Sequence, residues 1–115
     1  MARLQTEYKY EVPDADGGAP GYIILREPTN EEWNEFSNED TKGAFLVQKP
    51  GQEIAGLAKM NEGRIRLFNS IFERCDNLVD GVGKFLSKDD IPNRMKIDAI
   101  RVAIIERPKK IESGN

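Results

Sequence analysis

Apolar and polar positions change rhythm several times along the chain, and each change marks an element. Residues 6–12, TEYKYEV, alternate with a period of two, which predicts a half-exposed strand with Tyr8, Tyr10 and Val12 on one face. PDADGGAPG (13–21) is dense in turn-forming residues, and YIILRE (22–27) is a short β-branched apolar run. Together they predict an antiparallel hairpin, whose loop is too long for its register to be read from the sequence.

Beyond residue 28 the period becomes helical. Thr29 followed by Glu32 is a capping-box pattern, and several acids then lie near the positive end of the helix dipole. Trp33 and Phe36, three apart, share a face, with Phe36 expected inward and Trp33 at the edge. This helix is expected to end near residues 38–41, with Gly43 as its stop. AFLVQ (44–48) then reads as a short strand or a buried connector, and KPG (49–51) as a turn. The longest helical block spans 52–76. Ile54, Leu57, Ala58, Ile65, Phe68, Ile71, Phe72 and Cys75 recur at helical spacing in it, and MNEGR (60–64) suggests a kink or a break at Gly63. Residues 76–86 hold two glycines and no clear period, which predicts a loop with a short strand. The last helix is expected over 87–107. Ser87 and Asp90 form a weak cap, Pro92 sits in its first turn, and Ile97, Ile100 and Ile104 form one line widened by Met95, Ala99, Val102 and Ala103.

These elements predict an α+β fold: an N-terminal β-hairpin packed against about three α-helices in a single domain over 1–107, with a flexible polar tail at 108–115. The chain is 115 residues long, 38% hydrophobic and 32% charged, which suits a globular domain with one core. No apolar run approaches about 18 residues, the length that crosses a bilayer, and MARLQTEYKY lacks a signal-peptide core, so a cytoplasmic location is expected.

Residue counts narrow the chemistry. With one cysteine and no histidine, intramolecular disulfides, Cys/His zinc sites and His-dependent nucleophile pairs are all excluded. Cys75 falls on an apolar stripe and reads as a buried structural thiol. Asp14 and Asp16 open like a calcium loop, but the closing position is Leu25, so a solvated turn is the better reading. GVGKF (81–85) lacks the glycine spacing and the Ser or Thr of a phosphate loop. Arg64, Arg66 and Arg74 accompany Phe68 and Phe72, whose rings fall with the core stripe. That leaves a basic rim without a stacking platform, and with a net charge of −3 nucleic acid is not expected as a partner. No metal, cofactor or catalytic residue is expected, and protein binding is the default class.

Charge is nonetheless polarised. Glu27, Glu31, Glu32, Glu35, Glu39 and Asp40 occur without an intervening Lys or Arg, whereas bases outnumber acids six to three over 42–74. Two readings are open: a solvated face answered by bases of the same molecule, or an acidic surface for a basic partner. A catalytic carboxylate pair is disfavoured, because exposed acids near a helix start have no cause for a raised pKa. The candidate partner-binding residues are Glu31, Glu32, Trp33, Glu35, Phe36 and Glu39.

From residue 22 to 105 the order of features resembles the tail assembly chaperones of long-tailed bacteriophages. Arg26, Pro28, Thr29 and Glu32 match an extended segment ending in a turn. Cys75, Asp76, Asp80 and Gly81 match the middle loop, and Asp89, Asp90, Ile91 and Pro92 match the acidic step into the closing helix. The patterns are short. The resemblance implies a non-catalytic protein of the host cytoplasm that binds the tape-measure protein and the tail-tube protein. It also implies a longer form made by ribosomal slippage, for which the codons of Pro108, Lys109 and Lys110 are a candidate site. The alternatives are a structural tail-completion or connector subunit, or a stand-alone interaction adaptor. A homo-oligomer is compatible with each.

Overall fold

A computed structural model describes residues 6–106 of the protein; the expected tail at 108–115 and the slippage site lie outside the described residues. The fold is α+β, with a three-stranded antiparallel sheet and three α-helices. Strand β1 (Glu7–Val12) and strand β2 (Gly21–Arg26) form the expected hairpin, with Tyr8 opposite Leu25 and Tyr10 opposite Ile23. Helix α1 (Asn30–Val47) and helix α2 (Glu53–Ile71) follow, then strand β3 (Phe72–Asp76), a 3-10 turn at Lys88–Asp90 and helix α3 (Asn93–Ala99). Helix α3 runs on as a π-helical stretch, Ile100–Ile105, in which Glu106 N donates to the Arg101 carbonyl at 3.0 Å.

Several expectations need correction. Helix α1 does not stop at Gly43 but continues through the segment expected as a strand or connector. Helix α2 passes through Gly63 unbroken and ends at Ile71, not at residue 76. The residues beyond it, FERCD, form β3, so the sheet has a third strand in the order β1-β2-β3. The final helix begins at Asn93 rather than 87, because Pro92 takes an extended conformation (φ −62°, ψ 147°) as its N-cap. Asp90 still accepts hydrogen bonds from the Ser87 N–H and hydroxyl, each at 3.0 Å, and so holds the preceding turn.

The core lies between the inner face of the sheet, the lower half of α2, and α3 with its π-helical extension. Ile23 and Leu25 of β2 meet Leu67, Phe68 and Ile71 of α2 and Ile100 and Ile104 of the last helix. Each of these is buried because its face of the element is covered by another layer, as the amphipathic patterns require. Cys75 lies on the inner face of β3 opposite Ile23 and is half-buried, so the thiol packs against the core without being enclosed. Burial pushes its pKa up, which keeps it a thiol.

On the outer face Ile24 is fully buried without belonging to the core cluster. Arg74 of β3, the register partner of Ile24, reaches across the central strand to Glu7 of β1 at 2.9 Å and holds Asp76 at 3.1 Å, so a charged strap crosses the sheet at that isoleucine.

Candidate protein-binding surfaces

The acidic stretch is built on a node at the start of α1. Thr29 is the N-cap, and both halves of its capping box are present: Glu32 N donates to Thr29 Oγ1 at 3.1 Å, and Thr29 N donates to Glu32 Oε1 at 2.9 Å. Arg26, the last residue of β2, donates from both guanidinium nitrogens to Glu32 at 2.8 Å each and also to the Ser70 carbonyl at 2.8 Å. One fork thus ties β2, α1 and the end of α2 together, beside a buried Pro28. Tyr8 adds a hydrogen bond to Glu27.

The hydrogen bonds from Arg26 and the Thr29 backbone outweigh desolvation and pull Glu32 from the ordinary 4.5 down to about 2. A carboxylate depressed in the fold contributes stability that is present above its ordinary pKa and lost as the pH falls through the folded value, here from about pH 4.5 towards pH 2. Glu32→Gln should therefore cost about 1–2 kcal/mol at neutral pH and flatten the loss of stability over that acid range. Chemical denaturation across pH checks this; an unchanged acid profile would remove Glu32 from the node.

Two more acids are answered within the molecule. Glu39 lies 3.5 Å from Arg66, and Asp40 lies 3.8 Å from Arg64. The Asp40 Oδ1 and Arg64 Nε atoms of the second pair are buried without hydrogen bonds, so this is a charge contact beyond bonding range. Phe36, 6% exposed, belongs to the core and offers almost no surface. Trp33, 37% exposed, stands at the edge with its ring tilted 44° against Phe36 at 5.5 Å. Of the six candidate residues, Glu32, Phe36 and Glu39 are thus engaged inside the protein. Glu31, Trp33 and Glu35 are presented to solvent.

A different surface stands uncovered. Helices α1 and α2 form a helical hairpin whose lower half joins the core and whose upper half contributes nothing to the core cluster among the described residues. Along α2, Ile54, Leu57, Ala58, Ile65 and Phe68 fall on one stripe, as their spacing predicts. Phe68 is buried under α3 and Ile65 is half-buried, but Ile54 is 84% exposed and Leu57 52%. The stripe therefore outruns the element that covers it. A smaller apolar projection is the turn over 78–86, where Val82 and Phe85 stand exposed. Asp80 Oδ1 fixes it by accepting from the N–H groups of Val82 and Lys84 at 2.9 and 3.0 Å.

Among the described residues no group of three or more metal-ligating side chains comes together, and no helix is long and apolar enough to cross a membrane. Comparison with protein-family models, with curated proteins and with solved structures gives no match.

Proposed function

We propose that this is a non-enzymatic, protein-binding chaperone of phage tail assembly whose clients are the tape-measure and tail-tube proteins. The observation that carries the reading is the uncovered upper half of the α2 stripe. Ile54, Leu57 and Ala58 sit at the spacing that receives an amphipathic helix, and a tape-measure protein is a long helix with apolar stripes to shield. The order of sequence features, with its resemblance to tail assembly chaperones, supports that choice of client. Glu31, Trp33 and Glu35 supply a second, acidic contact at the base of the same hairpin, and the charged surface keeps the complex in solution.

Gene order is the first test: the gene should lie between a tail-tube gene and an unusually long tape-measure gene. Co-expression with that tape-measure protein should raise its soluble yield. Leu57→Asp combined with Ile54→Asp should abolish the gain and weaken binding at least about tenfold, while thermal stability stays near wild type because both side chains are exposed. Metabolic or regulatory neighbours would defeat the phage reading. Recovery of the protein from purified particles at ring stoichiometry would replace the chaperone by a connector subunit.

A further inference from the structure

The free edge of the sheet carries an inference that stands apart from the chaperone reading. Strand β1 pairs with β2 on one side and with no other strand among the described residues, so every second residue turns its backbone N–H and C=O outward. Its outer face carries Glu7, Lys9 and Glu11. Glu7 is held by Arg74, and the Lys9 ammonium lies 5.7 Å from the centroid of the Tyr22 ring, but neither Lys9 nor Glu11 has an ion-pair partner among the described residues. Beside the same edge lies an open groove of about 550 Å³ between β1 and the last helix, lined by Tyr10, Pro92, Arg94, Met95, Ile97, Asp98 and Arg101. Within it the Tyr10 hydroxyl donates to Asp98 at 2.5 Å, which fixes the ring against the groove wall.

We propose that β1 pairs with β1 of a second copy of this chain, antiparallel about a twofold axis at Tyr10, to give a continuous six-stranded sheet. A twofold axis normal to the sheet keeps the two outer faces on one side and must pass through a residue position. Centred on Tyr10, it sets Lys9 opposite Glu11 of the second copy, twice, and so joins the two charges of the strand that have no ion pair among the described residues. Centred on Lys9, it would oppose Lys9 to itself and Glu7 to Glu11. Centred on Glu11, it would oppose that acid to itself, and centred on Tyr8 it would shorten the overlap and compete with Arg74 for Glu7. On the inner face the chosen register puts Tyr8 opposite Val12 and Tyr10 opposite Tyr10. The second copy's Tyr8 and Val12 then project over the groove, where Met95, Ile97 and Pro92 supply the apolar part of a lining that also holds Arg94 and Arg101.

The test is the mass of the full chain in solution, by light scattering and sedimentation, for wild type and charge variants. Wild type should run at twice 13.0 kDa. Lys9→Glu should raise the dissociation constant at least about tenfold, since both cross-strand contacts become Glu against Glu. The double variant Lys9→Glu with Glu11→Lys should restore the dimer. Both side chains are exposed, and circular dichroism melts confirm that each variant folds. A monomer at about 100 μM, or a dimer indifferent to Lys9→Glu, overturns the proposal. So does a double variant that stays monomeric.

Discussion

Phe68→Ala should remove about 4 kcal/mol of stability, the largest single loss expected in the molecule. The ring is fully buried at the point where α2 meets the sheet and the last helix, and its centroid lies 5.6 Å from that of Phe72. It also answers a charge. Lys96 is only 7% exposed, and its ammonium lies 5.6 Å from the Phe68 centroid while donating to Asn69 Oδ1 at 2.9 Å. Truncation therefore opens a cavity and strips a buried cation of the ring face that offsets its desolvation. Phe68→Leu separates the two effects, because it keeps most of the volume and loses the cation contact. Urea titrations of both variants give the ledger, and a loss below about 1.5 kcal/mol for Phe68→Ala would mean that the ring is not held as described.

Gly56→Ala should cost about 2–3 kcal/mol, although alanine is the better helix former, because Gly56 is buried between α1 and α2. A Cβ at Gly56 would lie 2.5 Å from the Gly43 carbonyl oxygen and 2.7 Å from Val47 N, and one at Gly43 would lie 2.8 Å from the Gly56 oxygen. Those neighbours are backbone atoms and cannot rotate away, so the two helices must part. The matched control is Gly51→Ala in the connecting turn. Gly51 has open space around it but a φ of +79°, so its cost is conformational and leaves helix spacing unaltered. Thermal melts compare the two. Should Gly56→Ala prove neutral or stabilising, the close crossing of α1 and α2 is wrong.

The same glycine shows why parts of the fold are hidden in the sequence. Gly43 reads as a helix stop because glycine commonly ends helices, but here its missing side chain is used for close approach, which only the facing Gly56 reveals. The strand β3 is hidden for another reason. Phe68, Ile71, Phe72 and Cys75 have helical spacing, yet the last two lie on a strand. The β2–β3 register shifts between Ile24 and Leu25, and Glu73 is the extra residue. That bulge lets Phe72 and Cys75, three apart, both reach the core, as a regular strand would not allow.

What was legible depended on local chemistry. The Thr29–Glu32 box marks a helix start by bonds within four residues, and the alternation of Tyr8, Tyr10 and Val12 marks an inner strand face. Phe36 inward and Trp33 at the edge follow from position on one helix. The acidic run was only half legible, because Arg26, Arg64 and Arg66 reach Glu32, Asp40 and Glu39 from other elements. Nor could spacing tell that the α2 stripe would be covered at Phe68 and bare at Ile54, since coverage depends on where α3 ends.

The β2–β3 pairing has a consequence for the order of events in folding. The two strands are neighbours in the sheet but are separated in the chain by the whole α1–α2 hairpin. As an unstructured loop, that separation would make their meeting entropically slow. Once the hairpin forms, its two feet stand side by side, and the Arg26 fork at Ser70 and Glu32 marks the place where they close. The helical pair thus acts as a preformed clasp, converting a long-range strand encounter into a short-range one, and the tightness of its glycine crossing becomes a matter of rate as well as stability.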